Sequence, residues 1–344
     1  MFYNPAMVPD RDLNVAVLRG WRALGRPVAS GWEMLAATGV RGLRAFAEAG
    51  PFDRFLLTEA HPVAGQVLAE NASAFASVGV TTRTVDARRA APSGPFDYVE
   101  VDPYGAPVPF VEAAESALAP EGLLGITATD TRVLAGVDRG AAERRYGGRP
   151  LRGRLGPEGG LRLLLAYLAR RARSRGRVLV PRLAYVGSHH LRAYVTLEPG
   201  GGSEASDPIR TIDPDRWDGP PLPAGEPVGP MWLGPLFDPR LVERLVVPET
   251  ASHPHLLGRW LDRLRAETAV DRPFYYEPNT LAKSLALPRP PSVEALSRGL
   301  SALGYRCAPT HARPGAFRTD APYPHVVEVA RALAAHSQND RVRA

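Results

Sequence analysis

From Val28 to Asp130, short apolar runs alternate with stretches of helical spacing. VASGWEML, RFLLTE, VTTRTVD, FDYVEVD and GLLGITATD read as strands, rich in β-branched and aromatic residues. Between them, RGLRAFAEAG reads as a helix closing on Gly50. A second helix starts at Pro62, with Ala64, Val67, Leu68 and Phe75 near helical spacing. A third covers about Val111 to Leu118. Such βαβα alternation predicts a parallel sheet with helices on both faces. From Leu161 to Arg175 a further helix places Leu161, Leu164, Leu165 and Leu168 on one side and Arg162, Arg170 and Arg173 on the other. RVLVPRLAYV and HLRAYVTLEP follow closely enough to form an antiparallel pair at the sheet edge.

Glu198 to Pro208, EPGGGSEASDP, combines glycine, serine and acid and reads as a flexible connection. The expected domains are therefore 1–200 and 208–344. In the second, helical patterns run over Pro239–Val246, Pro254–Thr268, Thr280–Ala286 and Ser292–Leu303. YRCAPTHARPGAFRTDAP then forms a hairpin turning at Pro314-Gly315. Helix, helix, hairpin is compatible with a winged-helix arrangement, making this a smaller α+β domain.

Composition narrows the class. The 344 residues are 44% hydrophobic, enough for two real cores. A net charge of +6 permits a polyanionic partner without requiring one. Lys283 is the only lysine among 42 basic residues, and 13 arginines stand against Glu143 and Glu158 between Arg139 and Arg182. A run of this kind is either a solvated face or a phosphate-binding surface, to which the planar arginine fork is suited. Cys307 is the single cysteine, which excludes an internal disulfide and a cysteine-based zinc site. No apolar run reaches the roughly 18 residues of a membrane span. The N-terminus, MFYNPAMVPDRDL, lacks the pattern of a signal peptide, so a cytoplasmic protein without a membrane partner is the expectation.

In open parallel sheets ligands bind beyond the carboxyl ends of the strands. The first strand leads into AATGVRGLR, a glycine-containing turn whose helix N–H groups suit an anion, or a turn serving packing alone. Glu59 ends the second strand and Asp86, followed by Ala87, the third; either acid could instead cap the next element. The fourth ends in Asp102-Pro103-Tyr104-Gly105. Pro103 fixes the backbone, so Asp102 becomes a rigid acceptor beside a flat ring. That combination suits a stacked planar base whose exocyclic amine donates to the carboxylate.

DPYG resembles the acid/amide-proline-aromatic motif of S-adenosylmethionine-dependent amino-methyltransferases. FYNPAMVPDRDLNVAVL, AATGVRGLR, DPYGAPVPF, GLLGITATDTRVLAG, RRYGGRPLRG, GPMWLGPL, PFYYEPNTLA and THARPGAFRTDAP occur in the order of the tRNA guanine-26 N2-dimethyltransferase family. The resemblance spans essentially the whole chain. It implies a Rossmann-like class I methyltransferase sheet, S-adenosylmethionine as methyl donor without a metal, tRNA as partner and no obligatory protein partner. Asp102 matches the catalytic carboxylate, while Phe2, Pro103 and Tyr104 match the base-binding positions. Arg11, Arg41, Glu59, Asp86 and Ala87 match cofactor-binding positions. Glu33 and Glu59 stand where relatives carry aspartate, and Tyr104 where phenylalanine is commoner.

Guanine N2 is a weak nucleophile because its lone pair is delocalised into the ring. A carboxylate accepting its N–H favours the nucleophilic form and stabilises the positive charge that develops on it. DPYG alone leaves open an amino-methyltransferase for another base. A non-catalytic RNA-binding protein on the same fold is the other alternative.

Overall fold

In a computed structural model the described residues are 3–342, apart from 91, 93, 201–206 and 271, with side chains to 335. The elements, in chain order, begin with α1 (Val8–Ala23), β1 (Ser30–Glu33), α2 (Val40–Arg44), β2 (Arg54–Glu59), α3 (Pro62–Ala72) and β3 (Val80–Thr84). Next come β4 (Phe96–Val101), α4 (Val108–Ala117), β5 (Leu118–Ala128), α5 (Thr131–Leu134), α6 (Arg139–Tyr146) and α7 (Gly156–Ser174). They are followed by β6 (Arg177–Val186), β7 (Leu191–Pro199), β8 (Ile209–Ile212), β9 (Val228–Trp232), α8 (Pro239–Arg244) and α9 (Pro254–Thr268). The last are α10 (Pro278–Ser284), α11 (Val293–Ala302), β10 (Cys307–Pro309), β11 (Phe317–Thr319) and α12 (Tyr323–Val342).

Two compact units result. One comprises Met1–Thr131, Tyr167–Glu204 and Leu236–Leu261; the other comprises Arg132–Ala166, Ala205–Pro235 and Asp262–Ala344. The chain thus passes between units five times, once at the 204/205 junction inside the connection read from sequence and twice within α7 and α9.

The first unit carries a seven-stranded sheet of order β3-β2-β1-β4-β5-β7-β6. β1 to β5 pair in parallel, and β7 runs antiparallel to both β5 and β6, the expected edge pair. Nearly every residue of β1, β2 and β4 is buried, as helices on both faces require. Trp32 and Phe55 are wholly buried, each contributing roughly 1.5–3 kcal/mol by apolar burial. Asp97 Oδ2 accepts the N–H groups of Ala29 and Ser30, both at 2.9 Å, which sets the start of β1 against β4. Gly39 takes the left-handed conformation (φ 79°) as N-cap of α2, where a Cβ would also meet Leu68. α2 is a single turn that passes into a π turn over Ala45–Ala49.

In the second unit β8 and β9 pair antiparallel, as do β10 and β11. One apolar cluster gathers Tyr276, Leu281, Leu296, Phe317 and Val326 from α10, α11, the hairpin and α12. A second gathers Leu151, Ile212, Met231, Phe274 and Tyr275. Glu267, His311, Arg318, Glu158 and Arg162 form a fully buried polar cluster: His311 Nδ1 lies 2.6 Å from Glu267 Oε2, and Arg318 Nη2 donates to Glu158 at 2.8 Å.

This corrects one expectation. Arg162 does not share an outer face with Arg170 and Arg173; it is 2% exposed and donates to Glu158 at 2.8 Å. Nor is the arginine run a bare cationic face. Arg139 and Arg149 pair with Glu226, Arg154 with Glu277, Arg171 with Glu115, Arg175 with Glu112, and Arg182 with Asp238. These acids come from distant sequence, which a local charge count omits. Among the described residues no helix is long and apolar enough to cross a membrane.

Candidate active site

The strand order reverses between β1 and β4, so a crevice opens beyond their carboxyl ends. Asp102 leaves β4 into this crevice, its side chain 23% exposed. Tyr104 is 74% exposed. Gly105 closes the turn at φ 85°, which favours glycine. Thr129, just beyond β5, fastens the turn: its Oγ1 accepts the Gly105 N–H at 2.6 Å, and its N–H donates to Gly105 O at 3.0 Å. Asp102 is therefore held by proline before the turn and by a two-bond latch after it. Thr129 lies within the GLLGITATDTRVLAG segment, and its latch was not foreseen.

Arg41 lies on α2 and is 4% exposed. Its Nη2 donates to Asp102 Oδ2 at 2.9 Å and to Asp10 Oδ2 at 2.6 Å. Its Nη1 is buried and has no hydrogen-bond partner among the described residues. Asp10, on α1, also accepts from the Tyr185 hydroxyl and lies 3.0 Å from His190 Nε2. Burial opposes ionisation of Asp10, but Arg41 and His190 hold its carboxyl well below the usual range. Arg11, its neighbour, is buried, donates to Asn4 O at 3.3 Å and lies over the Tyr3 ring.

Glu33 ends β1 and accepts the Gly42 N–H at 2.8 Å. One of the helix donors expected to face an anion is thus occupied by Glu33. Burial pushes Glu33 up to about 8, with Glu100 and Asp102 adding to the effect against Arg41. Glu59, at the end of β2, accepts the Ala37 N–H through Oε2 at 2.9 Å and the His61 N–H through Oε1 at 2.8 Å. Those bonds brace the loop after β1, where Ala37 is left-handed (φ 48°), and the entry to α3. Asp86, after β3, caps the following turn through the Arg88 N–H at 3.0 Å and pairs with the Arg88 guanidinium, which lowers its carboxyl to about 2. Ala87 beside it is buried. Phe2 lies outside the described residues.

Beneath the crevice lies a polar network that sequence reasoning missed. Arg192 of β7, wholly buried, donates to Glu100 of β4, to Thr127 Oγ1 at 2.6 Å and to Asn14 Oδ1 at 3.2 Å. The Tyr98 and Tyr194 hydroxyls each donate to Asn14 Oδ1 at 2.8 Å. The network ties α1 to three adjacent strands beside Arg41. Its signal in the sequence was a charge inside each of two apolar strands, Glu100 and Arg192.

A mostly parallel sheet of this order with β7 reversed is the sheet of Rossmann-like methyltransferases, and the β1/β4 reversal is where such folds hold their ligand. The family model for N2,N2-dimethylguanosine tRNA methyltransferase matches residues 1–209 and 224–331, and the chain belongs to that family. The tRNA (guanine(26)-N(2))-dimethyltransferase of Thermococcus kodakarensis is 32% identical, covering 96% of this chain and 92% of that protein. That of Pyrococcus furiosus is also 32% identical with the same coverage. The solved complex of Trm1 from Pyrococcus horikoshii with S-adenosyl-L-methionine superposes with a TM-score of 0.84 at 28% identity, covering 95% of this chain and 94% of that one.

Proposed function

We propose that this chain transfers two methyl groups from S-adenosylmethionine to the exocyclic N2 amine of guanine 26 in tRNA, with Asp102 as the catalytic carboxylate. The observation that carries the reading is the fixed Asp102-Pro103-Tyr104-Gly105 turn, whose carboxylate reaches the crevice beside an exposed ring.

The residues fit the donor. The buried, unpartnered Nη1 of Arg41 is a hydrogen-bond donor available to an anionic group such as the methionine carboxylate. Each Glu59 oxygen accepts one backbone N–H and retains lone-pair capacity for the ribose hydroxyls. Arg11 supports the same pocket, while Asp86 and Ala87 border the adenine. S-adenosylmethionine, when bound, supplies the electrophilic methyl.

Arg41 occupies Asp102 Oδ2, and Oδ1 has no hydrogen bond among the described residues. Asp102 Oδ1 accepts an N2–H of the guanine, raising the nucleophilicity of the nitrogen and offsetting the positive charge that grows on it. Such a preplaced charge is typically worth about a hundred- to a thousandfold in rate. After the N–C bond forms, Asp102 takes the proton from N2 and passes it to solvent. The monomethylated amine retains one N–H, so the same carboxylate serves the second transfer. Tyr104 and Phe2 hold the base by stacking, restoring stacking lost when it leaves the tRNA. The unit that contains α10 to α12 helps hold the tRNA, and the protein acts in the cytoplasm.

Incubation of the full chain with unmodified tRNA and S-adenosylmethionine, followed by nucleoside mapping, tests this. N2-methylated guanosine at position 26 supports it. Methylation at another atom, or none, overturns it.

A further inference from the structure

The second unit contains a cavity of about 460 Å³ that the methyl-transfer chemistry does not use. Its volume falls within the roughly 300–1,000 Å³ usual for small-ligand sites. One wall is Pro220, Pro221, Leu222 and Pro223, a stiff apolar surface. Arg152, Asn279 and Lys283, all exposed, also line it. The Arg152 Nε donates to Gly136 O at 2.8 Å, which restrains the guanidinium. The carboxylate of the cavity, Glu277, is already neutralised: Arg154 approaches at 3.1 Å, Arg313 at 2.8 Å, and the Thr280 hydroxyl donates at 2.9 Å. Arg152 and Lys283, the only lysine of the chain, therefore leave the lining positively charged.

From this juxtaposition we infer that the cavity is a second RNA-binding site, which takes one unstacked nucleotide of the tRNA away from the methylated base. Arg152 and Lys283 hold its phosphates, the proline–leucine wall packs the face of its base, and Asn279 bonds the base edge. Unstacked bases recognised by face and edge, with phosphates on basic side chains, are the usual mode of single-stranded RNA binding. The inference rests on tRNA being the substrate and adds where the second unit grips it.

The test compares the full-length wild type with Arg152→Ala/Lys283→Ala, both exposed positions, using an unmodified tRNA transcript. The expected result is a tRNA Kd raised about tenfold at 0.1 M salt, with the slope of log Kd against log salt reduced by roughly 1.4–1.8 as two phosphate contacts are lost. S-adenosylhomocysteine affinity and the methylation rate at saturating tRNA should equal the wild type. Leu222→Arg, which fills the cavity from its wall, should raise the Kd without lowering the slope. A double variant with wild-type affinity and slope overturns the site while leaving the methyltransferase reading intact. So does weakened binding with an unchanged slope in the double variant. Micromolar binding of AMP or GMP, abolished by the double variant while tRNA affinity stays the same, would overturn it in favour of a free-nucleotide site. A wild type that fails to bind tRNA at all overturns both readings.

Discussion

Arg41 Nη2 donates to Asp102 Oδ2 at 2.9 Å while the other oxygen of Asp102 stays free of hydrogen bonds among the described residues. The same nitrogen is held by Asp10 at 2.6 Å, so one guanidinium serves two carboxylates. Asp10 thereby limits how strongly Arg41 neutralises Asp102.

Asp10→Asn removes the competing negative charge at Nη2 and lets Arg41 pair more strongly with Asp102. The single-turnover rate should fall by about tenfold to a hundredfold, the scale of one redistributed charge-assisted hydrogen bond. The KM for tRNA should stay at the wild-type value, and calorimetry with S-adenosylhomocysteine should give a Kd within about threefold. A loss confined to the Kd with an unchanged rate would assign Asp10 to cofactor binding only.

Glu33 carries a pH-dependent part of the stability. Burial pushes it up to about 8, so the folded chain keeps a proton that the unfolded chain releases near 4.5. The corresponding stabilisation is complete below the unfolded value and is lost as pH rises toward the folded one. Thermal melting of the wild type should therefore fall from about pH 5 to about pH 8 more steeply than that of Glu33→Gln, which cannot ionise. Parallel curves for the two proteins would contradict the assignment.

Glu59→Ala removes an acceptor from two backbone N–H groups and from the proposed ribose site. Cofactor affinity should weaken by on the order of 2–3 kcal/mol, the loss of a charge-assisted acceptor. Calorimetry with S-adenosylhomocysteine decides it: an unchanged Kd leaves Glu59 as a brace for the loop containing Ala37.

Tyr104 tests stacking. Tyr104→Ala should slow methylation by roughly 1–3 kcal/mol, the value of one base–aromatic stack, and Phe2→Ala should do likewise. Tyr104→Phe should be nearly silent because the ring is retained. Equal damage from the Phe and Ala variants would assign the role to the hydroxyl.

Much of the sheet was legible because its strands are buried on both faces, which leaves continuous apolar runs. β6 and α9 fall at the residues expected from periodicity and proline punctuation. α1 was not read from the sequence; it buries Asp10, Arg11, Asp12 and Asn14 together with its apolar residues. α12 was hidden by a run that mixes apolar, charged and polar residues without a clear stripe. At the site, the strand-end acids and the DPYG turn were readable from their position alone. The Asp10–Arg41–Asp102 arrangement and the Thr129 latch were not, since each joins residues far apart in sequence. Arg162 was placed on the wrong face because its burial depends partly on distant acceptors, Trp232 O at 2.9 Å and Gly234 O at 3.1 Å, beside Glu158 on its own helix.

The central role of Asp102 is tested most directly by single-turnover methylation of unmodified tRNA by Asp102→Ala and Asp102→Asn beside the wild type, with products mapped by mass spectrometry. The wild type should form N2,N2-dimethylguanosine at position 26. Both variants should retain S-adenosylhomocysteine binding and form product roughly a hundred- to a thousandfold more slowly. A wild-type rate in either variant would contradict the mechanism.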